Sequence, residues 1–334
     1  MSEPNSPIST STFEYYHALP RPVGRPPRGR YWLHALLLTA TCFTTLIMGA
    51  RMQYNFANNR PALTFSDERV DYFPVGWIRT HPERILGGLP FATTVMLFFL
   101  AHELGHYLCC RRYRVYATLP FFIPMPTPIG TMGAVILIRS PIRSRAGLFD
   151  IAIAGPIAGF VVASITLVIS LTLSKPLPHG AGAPDYQLAF PLIFDWAHRL
   201  LVWSGMLRGG AAMPLERVLL HPTAIAAWVG MFATALNLLP SSQLDGGHIV
   251  YALAPRAHRI ISWITVIGVV YLGRSNHAMW FWAAVLVIMN VLTYRQEQAP
   301  EYPMLPASRW PLAVLALIML AVTLTISPIQ MSWR

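Results

Sequence analysis

LPFATTVMLFFLAHELGHYLCCRR, residues 89–112, is the stretch whose reading decides the fold. It runs apolar through Ala101, is interrupted by His102, Glu103 and His106, and ends on Arg111 and Arg112. A hydrocarbon core about 30 Å thick needs ~20 helical residues to cross it, and Leu89–Cys110 has that length. An ionisable group inside such a span costs a few kcal/mol or more, so each one is a functional candidate by default.

The rest of the chain supports a membrane reading. Of 334 residues 54% are apolar and only 12% are charged, about half the usual share for a soluble domain. The mean hydropathy is +0.46. Too few acids and bases exist to cover a soluble surface. Three Cys exclude a disulfide scaffold. The net charge of +11 reads as loop charge on the inner face of a membrane and not as affinity for nucleic acid.

Further apolar runs at Trp32–Ala50, Phe149–Leu173, Val218–Leu239, Ile260–Gly273, Ala278–Leu292 and Trp310–Ile326 complete the pattern. The runs at 260–273 and 278–292 are short and fit tilted spans or a re-entrant pair. The expected fold is therefore an all-α polytopic membrane protein with six or seven transmembrane helices. Between helices two and three, residues 113–139 carry Pro120, Pro124, Pro126 and Pro128 and cannot form a regular helix. Thr131–Ile138 is β-like, which predicts a membrane-associated β-like hairpin. Tyr186–Met206 places Asp195, His198 and Arg199 among Phe and Trp, which suits an interfacial helix.

The expected division is a disordered basic tail at 1–30, without a cleavable signal peptide, then a first span and outer loop at 31–87. A core at 88–255 and C-terminal helices at 256–334 follow. With the N-terminus inside, inner segments hold 14 basic residues and outer segments 11. The run Arg111, Arg112, Arg114, Arg139, Arg143 and Arg145 gives the strongest inner loop. This predicts an integral protein of a bacterial cytoplasmic membrane, with N-terminus and active-site side cytoplasmic.

His102-Glu103-Leu-Gly-His106 is an HExxH pattern. Residues four apart share a helix face, so both imidazoles can ligate one Zn2+, and the Glu can take the proton of the water that the metal activates. With 11 His and 8 Glu, roughly 0.01 such matches arise by chance. The bland alternative, a polar face pairing with neighbouring helices, leaves three ionisable groups in one turn to be compensated. A third protein ligand is needed, and Asp245 is the best candidate. It stands in NLLPSSQLDGGH, residues 237–248, just past the fourth span, at the same depth as the end of span two. Pro240 ends that helix, and Gly246 and Gly247 permit a tight path.

At these residues the chain resembles the site-2 protease family of intramembrane zinc metalloproteases. The likeness rests on HExxH in span two and NxxPxxxxDG after span four. It is supported by Gly155-xxx-Gly159 in span three and GTMGAVI at 130–136, and it covers about residues 88–255. It implies His102, His106 and Asp245 as ligands of one Zn2+ per chain, Glu103 as general base, and Asn237 as a group that holds substrate or the oxyanion. The implied substrate is a transmembrane-helix protein met within membrane lipid, with no nucleic acid as partner. Many members carry Gly where this chain has Ser242.

Other residues are weaker candidates. His248 could steady Asp245 from behind. Gly155 and Gly159 read as packing positions, Cys42, Cys109 and Cys110 as small apolar fillers, Asp150 as a helix cap, and His34, His81, His198, His221, His258 and His277 as interfacial. A transmembrane substrate must unwind before attack, and Thr131–Ile138 could hold the unwound segment as an added strand. The longest inter-span segment, 175–217, is too short for a built-in peptide-binding domain of PDZ type. Two rival readings are a metal-binding transporter, which would need polar residues in several spans, and a catalytically silent relative that binds membrane helices.

Overall fold

The computed structural model describes residues 30–66, 70–178, 184–207, 212–274, 276, 278–293 and 304–331. Apart from Arg30, the expected basic tail lies outside the described residues. The protein is mostly helical, with a few short strands.

Helix α1 (Tyr31–Ala57) is buried all round its C-terminal half, where Ile47, Met48, Ala50 and Met52 pack inward. Arg51 is buried on the same helix and donates to the carbonyls of Val70 (2.8 Å), Phe65 (2.9 Å) and Asp71. Its guanidinium also lies 5.2 Å from the centre of the Phe65 ring. One side chain thus fastens the loop after α1 to the helix. Short helix α2 (Val75–Thr80) and a 3-10 turn, Pro82–Gly88, lead into α3 (Leu89–Arg112).

The proline-rich segment after α3 forms an antiparallel hairpin of β1 (Phe121–Pro124) and β2 (Thr131–Val135), with Phe122 opposite Ala134. The ladder stops at Val135, short of the expected Ile138, which makes only an isolated bridge to Ala117. The hairpin tip rests on α1. Gly130 has φ +78, its carbonyl accepts from Thr44 Oγ1 at 2.6 Å, and a Cβ there would strike the α1 backbone.

Helix α4 (Arg145–Leu173) begins earlier than its apolar run because Ser144 caps it, accepting from the Gly147 amide at 3.0 Å. Asp150 is therefore not the cap. It accepts from the Tyr113 hydroxyl and from Arg309 (Nη2, 3.1 Å), joining the ends of three elements. Burial, and then the hydrogen bond to Asp150, push the Tyr113 phenol above its ordinary range.

Beyond α4, β3 (Lys175–Pro176) and β4 (Tyr186–Leu188) precede α5 (Leu192–Trp203). Helix α5 buries Phe194, His198 and Leu201 and leaves the apolar Trp196, Leu200 and Trp203 exposed. Strand β5 (Val218–Leu219) pairs with β3, so α6 (Pro222–Leu238) starts four residues later than its apolar run, with His221 as cap. Then follow α7 (Asp245–Leu253), α8 (Pro255–Leu272), α9 (Ala278–Thr293), α10 (Trp310–Thr323) and β6 (Ile329–Met331), which pairs with β4.

Among the described residues three helices are long and apolar enough to cross a membrane: 31–57, 82–112 and 145–173. Shorter apolar helices occupy 222–238, 279–292 and 307–323.

Replacing Arg51 with Leu removes the donor from buried carbonyls at about 1–3 kcal/mol for each one left unpaired. The variant is expected to lose about 3 kcal/mol or more, measured as a lowered thermal unfolding midpoint in detergent.

Candidate metal centre

Helices α3 and α4 run antiparallel and touch along a ladder of small residues. A Cβ on Gly159 would come within 2.9 Å of Phe98 and 3.2 Å of His102 Nδ1. One turn further along, a Cβ on Gly155 would overlap His106 Nε2. A further turn along, the Ile151 carbonyl meets His106 Nδ1 at 2.7 Å. A carbonyl only accepts, so Nδ1 carries the proton and Nε2 presents a lone pair to the interior. The two glycines thus make room for the two imidazoles, a role beyond the packing expected of them.

Helix α6 runs parallel to α3, which brings Asn237 level with His102, their Nδ2 and Nε2 atoms 3.2 Å apart. Past its end, the turn at 239–244 delivers Asp245 as the first residue of α7. Ser242, at the position where many site-2 protease family members have Gly, has φ +49, a left-handed conformation that Gly adopts without strain. Gly246 and Gly247 are also required to be small: a Cβ on either would overlap the carbonyls of Leu238 or Ser242.

The result is a triangle of donors. His102 Nε2 and His106 Nε2 are 3.2 Å apart, and each is 3.3 Å from Asp245 Oδ2. His102 and His106 are 3% and 7% exposed, so bulk water does not separate these groups. Donors about 2.0–2.1 Å from a tetrahedral zinc ion would be spaced about 3.3 Å apart, so the residues present fit the ion. These three side chains could hold one metal ion.

Glu103, 6% exposed, faces the same cavity of about 780 Å3 as the three donors, Asn237 and His248. Ala134, Val135 and Ile136 line the same cavity. The Ile136 backbone amide lies near the Glu103 carboxylate. The Leu137 amide instead donates to Thr118 Oγ1, on the β1 side. Amides alternate sides along a strand, so the edge of β2 that does not pair with β1 is the edge turned toward Glu103.

All the residues singled out in the sequence for the site therefore meet at one cavity. His258 was not among them and was expected at an interface. It is 4% exposed and lines this cavity, with Tyr251 and Met289. Its only sequence signal is its place one turn before Ser262 on the same apolar helix face.

Residues 90–273 match Peptidase family M50. "Probable zinc metalloprotease EGY1, chloroplastic" of Oryza sativa subsp. japonica is 32% identical over 218 residues, 65% of this chain and 37% of the relative. The protein of the same name from Arabidopsis thaliana is 30% identical over 248 residues, 72% of this chain and 43% of the relative. "Probable zinc metalloprotease EGY2, chloroplastic" of Arabidopsis thaliana is 29% identical over 214 residues. The chain belongs to Peptidase family M50. It spans about two fifths of the length of the curated relatives it matches.

Gly155→Ala places a methyl where His106 Nε2 stands. Purified variant protein is expected to lose bound metal, measured by elemental analysis, while Gly268→Ala, where a Cβ meets nothing within 4 Å, keeps it.

Proposed function

We propose that this chain is an intramembrane zinc metalloendopeptidase of the site-2 type, hydrolysing peptide bonds in or near transmembrane segments of membrane-protein substrates. The observation that carries this reading is the buried triangle of His102, His106 and Asp245, with Glu103 on the same cavity wall inside an apolar helix. The names of the relatives and the family match support zinc as the metal and proteolysis as the activity. The protease core is residues 88–255, flanked by 31–87 and by the C-terminal helices at 256–334.

Zn2+ held by His102, His106 and Asp245 supplies Lewis acidity, which lowers the pKa of water toward ~7 and polarises the scissile carbonyl. Glu103 takes the proton of the attacking water on its carboxylate and delivers it to the leaving amine. The Ile136 backbone amide stands near that carboxylate. Asn237, beside His102, holds the substrate carbonyl through its carboxamide. His248 stands one turn beyond Asp245 and helps exclude other orientations of that side chain.

A substrate helix must expose its amides before it can be cut. The free edge of β2 is suited to receive the unwound segment as an added strand, with main-chain hydrogen bonds fixing its register. The site lies at the end of α3 that carries Arg111 and Arg112, and Arg139, Arg143 and Arg145 flank the start of α4. Positive loops face the cytoplasm, so the cleavage side is cytoplasmic.

Glu103→Gln is expected to keep about one zinc per chain and to lose cleavage of a reporter transmembrane helix by a factor of about 10²–10⁴. Normal cleavage by this variant would overturn the protease reading. A wild-type chain that holds zinc and cuts no substrate would leave the metal-binding transporter or the silent relative. Ala134→Pro tests the strand. By alternation its amide points to the free edge, so the change spares both the pairing with β1 and the contact from Ile136 to Glu103. Processing should fall at least about tenfold with zinc content unchanged; undiminished processing would refute strand addition.

A further inference from the structure

The geometry points to His258 and Ser262 of α8 as positioning residues that hold the Asp245 carboxylate in its place beside the two imidazoles. This rests on the zinc-site reading above. Asp245 is delivered by the turn from Leu239 to Leu244, which closes on two short-range backbone hydrogen bonds, Ser241 N to the Leu239 carbonyl at 2.7 Å and Leu244 N to the Ser241 carbonyl at 3.2 Å. Ser242 sits at φ +49, a left-handed conformation that strains a residue with a Cβ.

Side chains from other helices fix it. The Ser242 amide donates to Ser262 Oγ at 3.1 Å. Thr265 Oγ1, one turn along, reaches the Pro240 carbonyl at 3.3 Å. Asn290 of α9 donates to Ser241 Oγ at 2.9 Å. His258, Ser262 and Thr265 are spaced i, i+4, i+7 and so share one face of α8.

His258 completes the grip. Ser262 is 1% exposed and its hydroxyl has a single proton. The Ser242 amide occupies a lone pair of that oxygen, and His258 Nε2 lies within hydrogen-bond distance of it at 3.4 Å. The His258 ring meets Tyr251 edge to face, 5.4 Å between centroids at 89°. Tyr251 belongs to α7, the helix that Asp245 begins. Helix α8 therefore grips the chain on both sides of Asp245: the turn before it through Ser262, and the helix after it through His258.

Partners that orient a metal ligand commonly change metal affinity 10–100-fold when removed. The test is a zinc competition titration of the purified full chain in detergent against a chelator, run beside thermal unfolding of the metal-free protein. Ser262→Ala and His258→Ala should each weaken zinc binding about tenfold or more. His258→Gln, which restores a hydrogen-bonding group near Nε2, should recover most of the loss. Metal-free unfolding temperatures should stay close to that of the starting protein. Unchanged zinc affinity in both alanine variants would overturn the inference. So would a loss that parallels a drop in metal-free stability and is not rescued by Gln. His106→Ala separates the two levels: zinc held normally by that variant, or no zinc in the unaltered chain, would sink the metal-centre reading itself.

Discussion

Burying His102, Glu103 and His106 within one turn of α3 takes three polar side chains out of water, at 3%, 6% and 7% exposure, inside an apolar helix. Hydrocarbon offers them nothing in return, so each must find its partner in the protein. Most of the observed architecture answers that demand. His106 donates to a carbonyl of α4. Glu103 has the backbone amide of Ile136, just after β2, close by. The two Nε2 atoms face the carboxylate that α6 and its turn deliver. Remove that convergence and α3 would carry uncompensated polar groups that a bilayer would not tolerate.

Convergence at these distances requires backbones to approach closely, which explains where the small residues fall. Gly155 and Gly159 on α4 and Gly230 on α6 each leave space that α3 side chains fill: His106, His102 and Phe98. Association inside a membrane gains nothing from expelling water between helices, so it depends on close packing and hydrogen bonds. Here both come from the same positions. The glycines shorten the distance between helices and make room for the imidazoles, so helix packing and donor placement are one feature.

The site was largely legible in the sequence because its ionisable residues are so rare. With 14 acidic residues in the chain, Glu103 within a span and Asp245 after one stand out singly, and their spacing from His102, His106 and Asn237 does the rest. Helix boundaries were less legible. Hydropathy does not register that Ser144 caps α4 or that Val218–Leu219 pairs with β3, because both are decided by backbone hydrogen bonds. His258 was hidden for a different reason. A lone His on an amphipathic helix has no local pattern to mark it, and its meaning depends on Ser242 and Tyr251, which only tertiary contact brings near. The tight conformation at Ser242 was equally invisible, since a serine gives no hint of a positive φ.

The placement of β2 bears on the hardest step that a protease in a membrane faces. Peptide bonds of a transmembrane helix are satisfied internally, and in hydrocarbon they have no other partner, so unwinding would leave amides and carbonyls bare. An unpaired strand edge offers replacement hydrogen bonds at the place where the helix gives up its own. Among the described residues the second edge of β2 pairs with no strand; its residues line the same cavity as Glu103, and the Ile136 amide lies near that carboxylate. On the proposed function, a segment added there would have its backbone beside Glu103 as a consequence of pairing. The fixed tip of the hairpin matters for the same reason. Thr44 and Gly130 pin it to α1, so the edge is held in place before a substrate arrives, and less ordering is left to be done on binding.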